Sequence, residues 1–228
     1  MKRMVSVAVA VLVFFNHMAW ASDDSALPTT WFGGRAGSGL AIRGGASPQG
    51  SPLSEHAGFT WNASAFLLLN NGGFATFGIQ PEVQFVSETF GLELNQAGVV
   101  QSEQTTAFNS IRIPVLVKFS LGDPRVVQPS VYLGPHVNYV VGASSTIRQT
   151  FMGQTQEVEI DIRDSELNRF GYGLSVGADV RLFRNVIVDV RYCFNVSSYT
   201  ADVDGQPASE RFEAKMGSVM IGLGVMFN

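Results

Sequence analysis

The sequence predicts an all-β fold, an eight-stranded antiparallel up-and-down transmembrane β-barrel. Apolar and polar residues alternate with a period of two in eight separate runs. The apolar stripes last about ten residues, which is the length that a tilted strand needs to cross the hydrocarbon core of a bilayer. The opposite faces are rich in Gly and Ser, which suits a crowded barrel interior better than a surface in water.

Composition agrees with one ordered domain. The chain has 228 residues with 24 glycines, and only 15% of its residues are charged, against about 25% in an average soluble domain. The net charge is −4 and no run of Lys and Arg forms a basic stripe. We therefore expect no nucleic-acid partner.

The N-terminus has the pattern of an export signal. Two basic residues precede an apolar stretch at residues 4–15, which is too short to span a bilayer as a helix. Small residues then occupy the positions that a signal peptidase reads. We predict cleavage between Ala21 and Ser22, so that residues 1–21 are a signal peptide and residues 22–228 form the barrel domain.

The first four strands are predicted from residue 31 to residue 119. The first, residues 31–43, is glycine-rich and alternates least clearly. In the second, residues 59–69, Phe, Trp and Leu oppose Thr, Asn and Ser, and in the third, residues 77–85, Phe, Ile and Val oppose Thr, Gln and Glu. In the fourth, residues 111–119, Ile, Val and Phe oppose Arg and Lys.

The last four strands alternate more strictly. The fifth, residues 131–141, sets Val, Leu and Tyr against Gly, His and Asn. The sixth, residues 170–182, keeps apolar residues at every even position against Gly, Ser, Asp and Arg. The seventh, residues 186–196, opposes Val, Tyr and Phe to Asp, Arg, Cys and Asn, and the eighth, residues 219–227, opposes apolar to small residues.

Which face points inwards decides between two classes of barrel. A soluble barrel buries its apolar face, whereas an outer-membrane barrel turns that face to lipid and packs polar residues inside. Aromatic residues collect near the predicted strand ends, as they do at membrane interfaces. With the stripe length, this favours the membrane barrel. The aromatic residues are Phe59, Trp61, Phe85, Tyr139, Phe170, Tyr172 and Phe194 towards one rim, and Phe32, Phe77, Phe119 and Phe227 towards the other.

The connections alternate between short and long. Short ones are predicted at residues 71–73, 122–128 and 184–185, and long ones at residues 44–57, 86–107, 143–168 and 201–215. This predicts short periplasmic turns, long extracellular loops and both termini in the periplasm. The third long loop alternates at residues 146–151 and 155–162, so we expect a hairpin that rises above the membrane and leaves sheet edges exposed.

Three segments carry a family resemblance: FGIQPEVQF at residues 77–85, IRIPVLVKF at residues 111–119 and YLGP at residues 132–135. They resemble successive signatures of the small outer-membrane β-barrel domain family that includes PorT-like proteins, and the likeness spans nearly the whole mature chain. The resemblance implies an eight-stranded barrel of the OmpX and OmpA type and no particular activity.

The C-terminus resembles the signal that the barrel-assembly machinery reads. Gly222, Val225 and Phe227 occupy its glycine and apolar positions. The chain departs from that signal twice, because Asn228 follows the aromatic residue that is usually terminal and Met220 stands where a polar residue is expected. The resemblance implies the assembly machinery as a partner during insertion.

Parity along the strands places eight charged residues inside the barrel. Buried charges without partners would cost several kcal/mol, so these residues must pair or stay hydrated. The turn after Phe183 is predicted to set a register that places Asp179 opposite Arg191 and Arg181 opposite Asp189, since the alternative register opposes two carboxylates. Either a structural plug or a path for ions fits such a set. The eight residues are Arg35, Glu82, Arg112, Lys118, Asp179, Arg181, Asp189 and Arg191.

Three prolines fall within the predicted strands. Proline lacks the N–H group of a ladder hydrogen bond, and a closed barrel has no edge strand where that group is dispensable. We therefore expect β-bulges near Pro81, Pro114 and Pro135.

Enzymatic chemistry has little support in the sequence. The mature chain has two histidines, His56 in a loop and His136 on an inward face, so we expect no metal site, no cofactor and no catalytic residues. A Ser/His/acid triad stays open, because its members need only meet in space. Cys193 has no intramolecular partner and reads as a small inward filler.

Three functions remain open. The first is a surface barrel whose acidic loops contact an extracellular or envelope protein, by strand addition for example. The second is a narrow channel for ions or small solutes, and the third is an outer-membrane lipid-modifying enzyme. In each case we expect a monomer surrounded by outer-membrane lipids and lipopolysaccharide.

Overall fold

The computed structural model describes residues 29–44, 53–96, 100–151, 154–161, 169–197 and 215–228. Within these ranges there are ten β-strands, and the predicted cleavage site at Ala21 and Ser22 lies outside them. No helix of the described residues is long and apolar enough to cross a membrane. The strands are β1 (Thr30–Gly44), β2 (Leu53–His56), β3 (Gly58–Asn70), β4 (Ala75–Gln96), β5 (Val100–Leu121), β6 (Val127–Phe151), β7 (Gln154–Asp161), β8 (Phe170–Leu182), β9 (Val186–Asn195) and β10 (Lys215–Phe227).

Eight of these strands close into a ring. The order around it is β1, β3, β4, β5, β6, β8, β9 and β10, and every pairing is antiparallel. The ring closes where β1 pairs with β10, from Phe32↔Phe227 to Gly44↔Lys215. The predicted eight-stranded up-and-down barrel is therefore confirmed. Closure leaves no sheet edge inside the bilayer, where unpaired backbone groups would be costly.

The polar face is the inside of the barrel. Leu174 and Ile221 are 54% and 63% exposed on the outer surface, whereas Arg112 and Arg191 are at most 1% exposed on the inner face. In water this arrangement would expose apolar side chains and bury charged ones, which is unfavourable on both counts. In a bilayer the same apolar band contacts acyl chains, as the sequence predicts.

Paired aromatic rings mark both rims of the apolar band. Near the short turns, Phe32 packs on Phe227 with ring centroids 5.8 Å apart, and Phe77 packs on Phe119 at 4.7 Å. At the opposite rim Trp61 packs on Phe85 at 5.4 Å. Such girdles lie at the level of the lipid headgroups in membrane barrels.

Tight turns join neighbouring barrel strands at the end where β1 begins. Residues 71–74, 122–126 and 183–185 connect their strands there, and β1 begins and β10 ends at the same rim. Gly73 and Gly122 have φ angles of 94° and 104°, a region that glycine adopts readily. The three predicted short turns are confirmed, and their location on the periplasmic side stays a prediction.

Three strands continue well beyond the membrane. β4 and β5 are 22 residues each and pair without a break in register from Ala75↔Leu121 to Gln96↔Val100. The predicted long loop at residues 86–107 is therefore mostly strand, so this prediction was wrong. The apolar stripe ends near Phe85 because the strand leaves the lipid there, while ladder hydrogen bonds continue in water.

Two shorter strands widen this projection. β7 pairs with the outer half of β6 from Ser144↔Asp161 to Phe151↔Gln154, which confirms the predicted hairpin. β2 pairs with β4, so His56 ends a strand and does not lie in an irregular loop. Together β2, β7 and the outer parts of β4, β5 and β6 form a five-stranded sheet outside the barrel, which we call the extracellular sheet.

The prolines are accommodated without the expected bulges. The β5–β6 ladder skips from Pro114↔His136 to Val117↔Leu133 and resumes in the same register. The β4–β5 ladder behaves likewise beside Pro81. In the described ladders of these strands, the register shifts between Asn109 and Ser110 instead. A few ladder pairings are thus missing beside the prolines, and the strands do not contain the extra residue that a bulge would introduce there.

We expect the topology to be visible by cysteine labelling of intact cells. Val158 lies on β7 and Val126 in a short turn, and their exposure is nearly equal, 55% and 57%. A large maleimide that cannot cross the outer membrane should label Val158→Cys on intact cells and Val126→Cys only after permeabilisation. The native Cys193 is buried and should stay unlabelled. Labelling of both variants on intact cells would contradict the topology.

Candidate functional site

A network of charged side chains fills the middle of the barrel. The structure places all eight charged residues singled out in the sequence on the inner face, none more than 6% exposed. They alternate along their strands with the lipid-facing residues, so the strand periodicity itself positions them. An eight-stranded barrel is just wide enough for such side chains to meet across its interior.

Glu82 on β4 is the centre of this network. Its carboxylate accepts hydrogen bonds from Arg35 and, at 2.9 and 3.1 Å, from both Nη atoms of Arg191. The side-chain amides of Gln80, at 2.6 Å, and Gln84 also donate to it. Strand parity indicated Gln80 and Gln84 as inward residues, but not that they bind this carboxylate.

Asp189 on β9 is a second anion for the same arginines. It accepts from Arg35 Nη1 at 3.0 Å and from the hydroxyl of Tyr132. Arg191 Nε donates to that hydroxyl at 3.1 Å, and its guanidinium lies over the Tyr132 ring, 5.1 Å from the centroid. Two arginines and two carboxylates from three strands thereby form one network with Tyr132 of a fourth strand, β6, which sequence reasoning missed.

The predicted pairing of the last lumen charges is wrong. Neither Asp179 with Arg191 nor Arg181 with Asp189 stands opposite in the β8–β9 ladder, because Asp179 faces Asp189 directly. The register is set by a turn of residues 183–185, which leaves Val186 paired in the strand. A β-branched residue is poorly suited to a turn and well suited to a strand.

Cations from other strands relieve the two opposed carboxylates. Lys118 Nζ on β5 lies 2.6 Å from Asp179, and Arg35 on β1 binds Asp189. Reasoning confined to adjacent strands overlooks such contacts, because side chains of a narrow barrel reach across its lumen. A further ion pair, Arg112 with Glu88 at 3.1 Å, was missed because β4 was expected to end before Glu88.

Glycines of β8 make room for large side chains of β6. Gly177 stands opposite Tyr132, and Gly173 stands opposite His136. A Cβ at Gly177 would come within 2.6 Å of the Tyr132 ring, and one at Gly173 within 2.6 Å of His136. The small residues on the inner face of residues 170–182, which the sequence indicates, thus leave space for the side chains of Tyr132 and His136.

We expect Gly177→Ala to lower the free energy of unfolding by about 1–3 kcal/mol. The added methyl would displace Tyr132 and so weaken its contacts with Asp189 and Arg191. Gly142→Ala is the matched control, because a Cβ there meets nothing within 4 Å. Urea unfolding in micelles measures both variants, and equal stability of the two would contradict this packing.

A chain of hydrogen bonds surrounds His136. Its Nδ1 lies 2.9 Å from Ser175 Oγ, and its Nε2 lies 2.8 Å from Asn195 Oδ1. Ser175 Oγ in turn lies 3.4 Å from Cys193 Sγ. Ser175 and His136 are therefore brought together, but Asn195 stands where the Ser/His/acid triad that the sequence left open requires an acid. All four residues are at most 2% exposed. Among the described residues, no His, Cys, Asp and Glu side chains cluster as a metal site would require.

Apolar side chains close the lumen above and below the charges. At the periplasmic end the cluster contains Trp31, Phe66, Leu68, Ile187 and Met226. At the extracellular end Phe90 and Phe108 pack edge to face, 6.3 Å between centroids, in a second cluster with Ala41 and Val140. The polar network thus lies between two apolar layers.

The extracellular sheet carries a row of exposed charged side chains across three of its strands. Glu103, Arg148 and Glu157 stand directly opposite one another on β5, β6 and β7. Arg148 lies 3.1 Å from Glu157 and 4.0 Å from Glu103, with all three side chains more than half exposed. Such exposed pairs contribute little stability, so the ladder itself holds the sheet together.

Comparison with protein families decides what this barrel is. Residues 45–201, more than half of the chain, match the family model described as outer membrane protein beta-barrel domain. The chain belongs to that family of outer-membrane barrels. A search of curated proteins gives no match.

The outer-membrane barrel is also similar to solved structures at low identity. Ail of Yersinia pestis is 11% identical with a TM-score of 0.35, covering 87% of this chain and 97% of Ail. Neisserial surface protein A is 13% identical with a TM-score of 0.38, covering 88% and 98%. A major outer membrane protein from Thermus thermophilus is 13% identical with a TM-score of 0.42, covering 88% and 100%. The TM-scores are below 0.5, so the assignment depends on the closed ring and the family match.

The last strand of the outer-membrane barrel carries the proposed assembly signal. Gly222 faces the lumen, where it pairs with Gly37, while Val225 and Phe227 are each 46% exposed on the lipid face. Met220 is buried, and Asn228 accepts a hydrogen bond from Arg184 at 3.1 Å. Recognition of these residues by the assembly machinery remains a prediction.

Proposed function

We propose that this outer-membrane barrel anchors the extracellular sheet so that the sheet can contact external proteins or surfaces. The supporting observation is the unbroken β4–β5 ladder, which carries the sheet far beyond the lipid-facing band. A barrel that served only to occupy the membrane would need no such extension. We further propose that the protein is exported with cleavage after Ala21 and is inserted by the barrel-assembly machinery. In the membrane it is a monomer surrounded by lipid and lipopolysaccharide.

Strand addition is the proposed mode of contact. In the described part of the chain β7 pairs with β6 alone, so its outer edge presents backbone donors and acceptors. Residues 155–159 are exposed on both faces of this strand. Glu157 and Glu159 give the edge a negative charge, which favours an extended partner segment with basic side chains.

A channel fits the interior less well. Ions would have to pass two apolar layers and separate Glu82 from two arginines. Separating these ion pairs would leave buried charges without partners, which is costly. The lipid-modifying enzyme fits less well too, because Ser175, His136 and Asn195 are buried on the inner side of the barrel wall.

The test removes the outer hairpin and keeps the barrel. A variant with residues 145–160 replaced by a two-residue Asn-Gly turn should still show the gel shift between boiled and unboiled samples that folded barrels give. Cells carrying it should lose most of their retention on serum-protein-coated glass, whereas cells with the control variant Arg148→Gln should be retained normally. Unchanged retention, or new sensitivity to detergent without loss of retention, would overturn the surface role.

Two further measurements separate the alternatives. Purified wild-type protein in planar bilayers should give no single-channel steps, and steady steps would favour the channel. Lipid A from expressing cells should keep its mass, and a mass change abolished by Ser175→Ala would favour the enzyme.

A further inference from the structure

One buried cation of the lumen lacks an anionic partner. Arg181 on β8 is 3% exposed, and its guanidinium lies 4.6 Å from the ring centroid of Trp31. Within the described residues Arg181 makes no ion pair and no hydrogen bond, and the neighbouring Asp179 binds Lys118 instead. A guanidinium carries five N–H donors and no acceptor, so these donors require an acceptor from outside the described residues.

The charges of the described lumen do not balance. Its buried side chains comprise five cations and four carboxylates. The four carboxylates pair with the other four cations, so Arg181 is the excess cation. A cation–π contact offsets only part of the cost of desolvating a guanidinium. An anion beside Arg181 would reduce this cost.

A second arginine lies at the same indole ring. Arg184 is exposed in the turn of residues 183–185, and its guanidinium is 5.9 Å from the centroid of the Trp31 ring. It donates to Asn228 Oδ1 at 3.1 Å, which holds the group in place and leaves other N–H donors for a ligand. Two guanidinium groups around one ring repel each other, so this rim of the barrel attracts anions.

The turn that carries Arg184 has residues poorly suited to its backbone. Phe183 and Arg184 have φ angles of 50° and 72°, a left-handed region that is unfavourable for side chains of this size. Hairpin turns with two such residues favour Asn and Gly. Because backbone strain of this kind clusters where side chains bind ligands, the turn is consistent with a binding role for Arg184.

The level of these groups in the membrane indicates a phosphate group as the anion. Trp31 directly precedes Phe32, which belongs to the aromatic girdle at the level of the lipid headgroups. Phosphate is the anionic group of phospholipid headgroups, and guanidinium groups bind it through paired hydrogen bonds. Phe183, 74% exposed beside Arg184, adds an apolar contact for a lipid at the same rim.

We propose that Arg181 and Arg184 together bind a phosphate group at the mouth of the barrel where β1 begins. The phosphate neutralises the excess lumen cation, and Trp31 forms one wall of the site. A phospholipid headgroup and free phosphate offer the same chemistry, and the experiment distinguishes the two sources. The site is at the opposite end from the extracellular sheet and is independent of the role of that sheet.

Trp31 fluorescence measures occupancy of the site. In a Trp61→Phe background Trp31 is the one tryptophan of the mature chain, because Trp20 lies in the predicted signal peptide. The protein is purified from outer membranes and delipidated in dodecyl maltoside micelles, which contain no phosphate. At an ionic strength held constant with sodium chloride, inorganic phosphate should protect Trp31 several-fold from quenching by acrylamide. It should also lower the unfolding equilibrium constant about tenfold at about ten times its Kd.

Variants assign the effect to the two arginines. Arg184→Gln changes an exposed side chain and should remove most of the protection while the gel shift of the folded barrel is kept. Arg181→Gln should remove it too, and Arg181→Lys keeps the charge and should retain part of it. The matched control is Arg125→Gln, exposed in the turn of residues 122–126, which should respond to phosphate as the parent does. Protection that survives in either Gln variant of the site, or that sodium chloride alone reproduces, would overturn the proposal.

Lipid titration distinguishes the two sources of phosphate. Phosphatidylglycerol is added to the micelles and compared with a galactosyl diacylglycerol, which has the same acyl chains and no phosphate. If phosphatidylglycerol protects Trp31 at a much lower concentration than inorganic phosphate and the galactolipid does not, the ligand is a phospholipid headgroup. If inorganic phosphate protects at an equal or lower concentration, the ligand is free phosphate. Equal protection by both lipids without any effect of inorganic phosphate, or no protection by any of the three, would contradict the site.

Discussion

Replacing Glu82 with Gln should lower the free energy of unfolding of the barrel by about 3–5 kcal/mol. Glu82 is the shared partner of Arg35 and Arg191, and its side chain is fully buried. The amide would keep the shape and lose the charge, so two guanidinium groups would remain in the lumen with Asp189 as their nearest anion. This is the largest effect that we expect from a single conservative change.

The control is an acid in an exposed ion pair. Glu157 binds Arg148 at 3.1 Å with its side chain 54% exposed, so Glu157→Gln should cost less than about 1 kcal/mol. Urea unfolding in micelles, followed by the gel shift of the folded barrel, measures both variants. A loss for Glu82→Gln no larger than that for Glu157→Gln would show that the network does not stabilise the barrel.

Placing an arginine on the lipid face should cost about 2–4 kcal/mol near the middle of the bilayer. Leu223 lies within β10 and is 65% exposed, so in water its replacement by Arg would be nearly neutral. In a bilayer the charged group must leave water or pull the strand towards the headgroups. The expected cost therefore arises from the lipid alone.

Val158→Arg is the matched variant outside the membrane. Val158 is 55% exposed on β7 of the extracellular sheet, where an added arginine stays in water. Refolding into lipid vesicles at graded urea concentrations should show a large loss for Leu223→Arg and almost none for Val158→Arg. Equal effects of the two substitutions would mean that Leu223 does not contact lipid.

Strand positions and the inward face were predictable because the bilayer imposes both. A lipid-facing position must be apolar, so the alternation in residues 170–182 locates β8 to the residue and places Asp179 and Arg181 inside. The same constraint ends at the membrane surface. Beyond Phe85 the outward residues Ser87 and Thr89 are polar, although Val86, Glu88 and Phe90 are still buried on the inner face. Without an apolar outer face, the sequence pattern no longer distinguishes β4 from a polar loop.

The partners of the lumen charges were not predictable from neighbouring strands. The opposed pair Asp179 and Asp189 looks repulsive within the β8–β9 ladder, and only contacts from Lys118 and Arg35 across the lumen make it stable. The apolar layers were missed for a related reason. Phe66 and Leu68 belong to a run that is apolar on both faces of β3, and alternation alone does not single out its inward half.

Closure of the lumen bears on where function can reside. The charged network, the large side chains that pack opposite glycines and the two apolar layers fill the interior between Trp31 and Phe90. The surfaces left for a partner are then the ends of the barrel, and the extracellular end carries the longer ladders. This is why the proposed contact site lies on the extracellular sheet.

Quenching by brominated acyl chains can establish which face of the barrel meets lipid. Trp61 is 42% exposed on the outer surface, and Trp31 is 2% exposed within the lumen. In vesicles of brominated lipid, the mature Trp31→Phe protein should lose most of its fluorescence, and the mature Trp61→Phe protein should keep it. Strong quenching of Trp31 with Trp61 unaffected would mean that the apolar side chains do not face the bilayer.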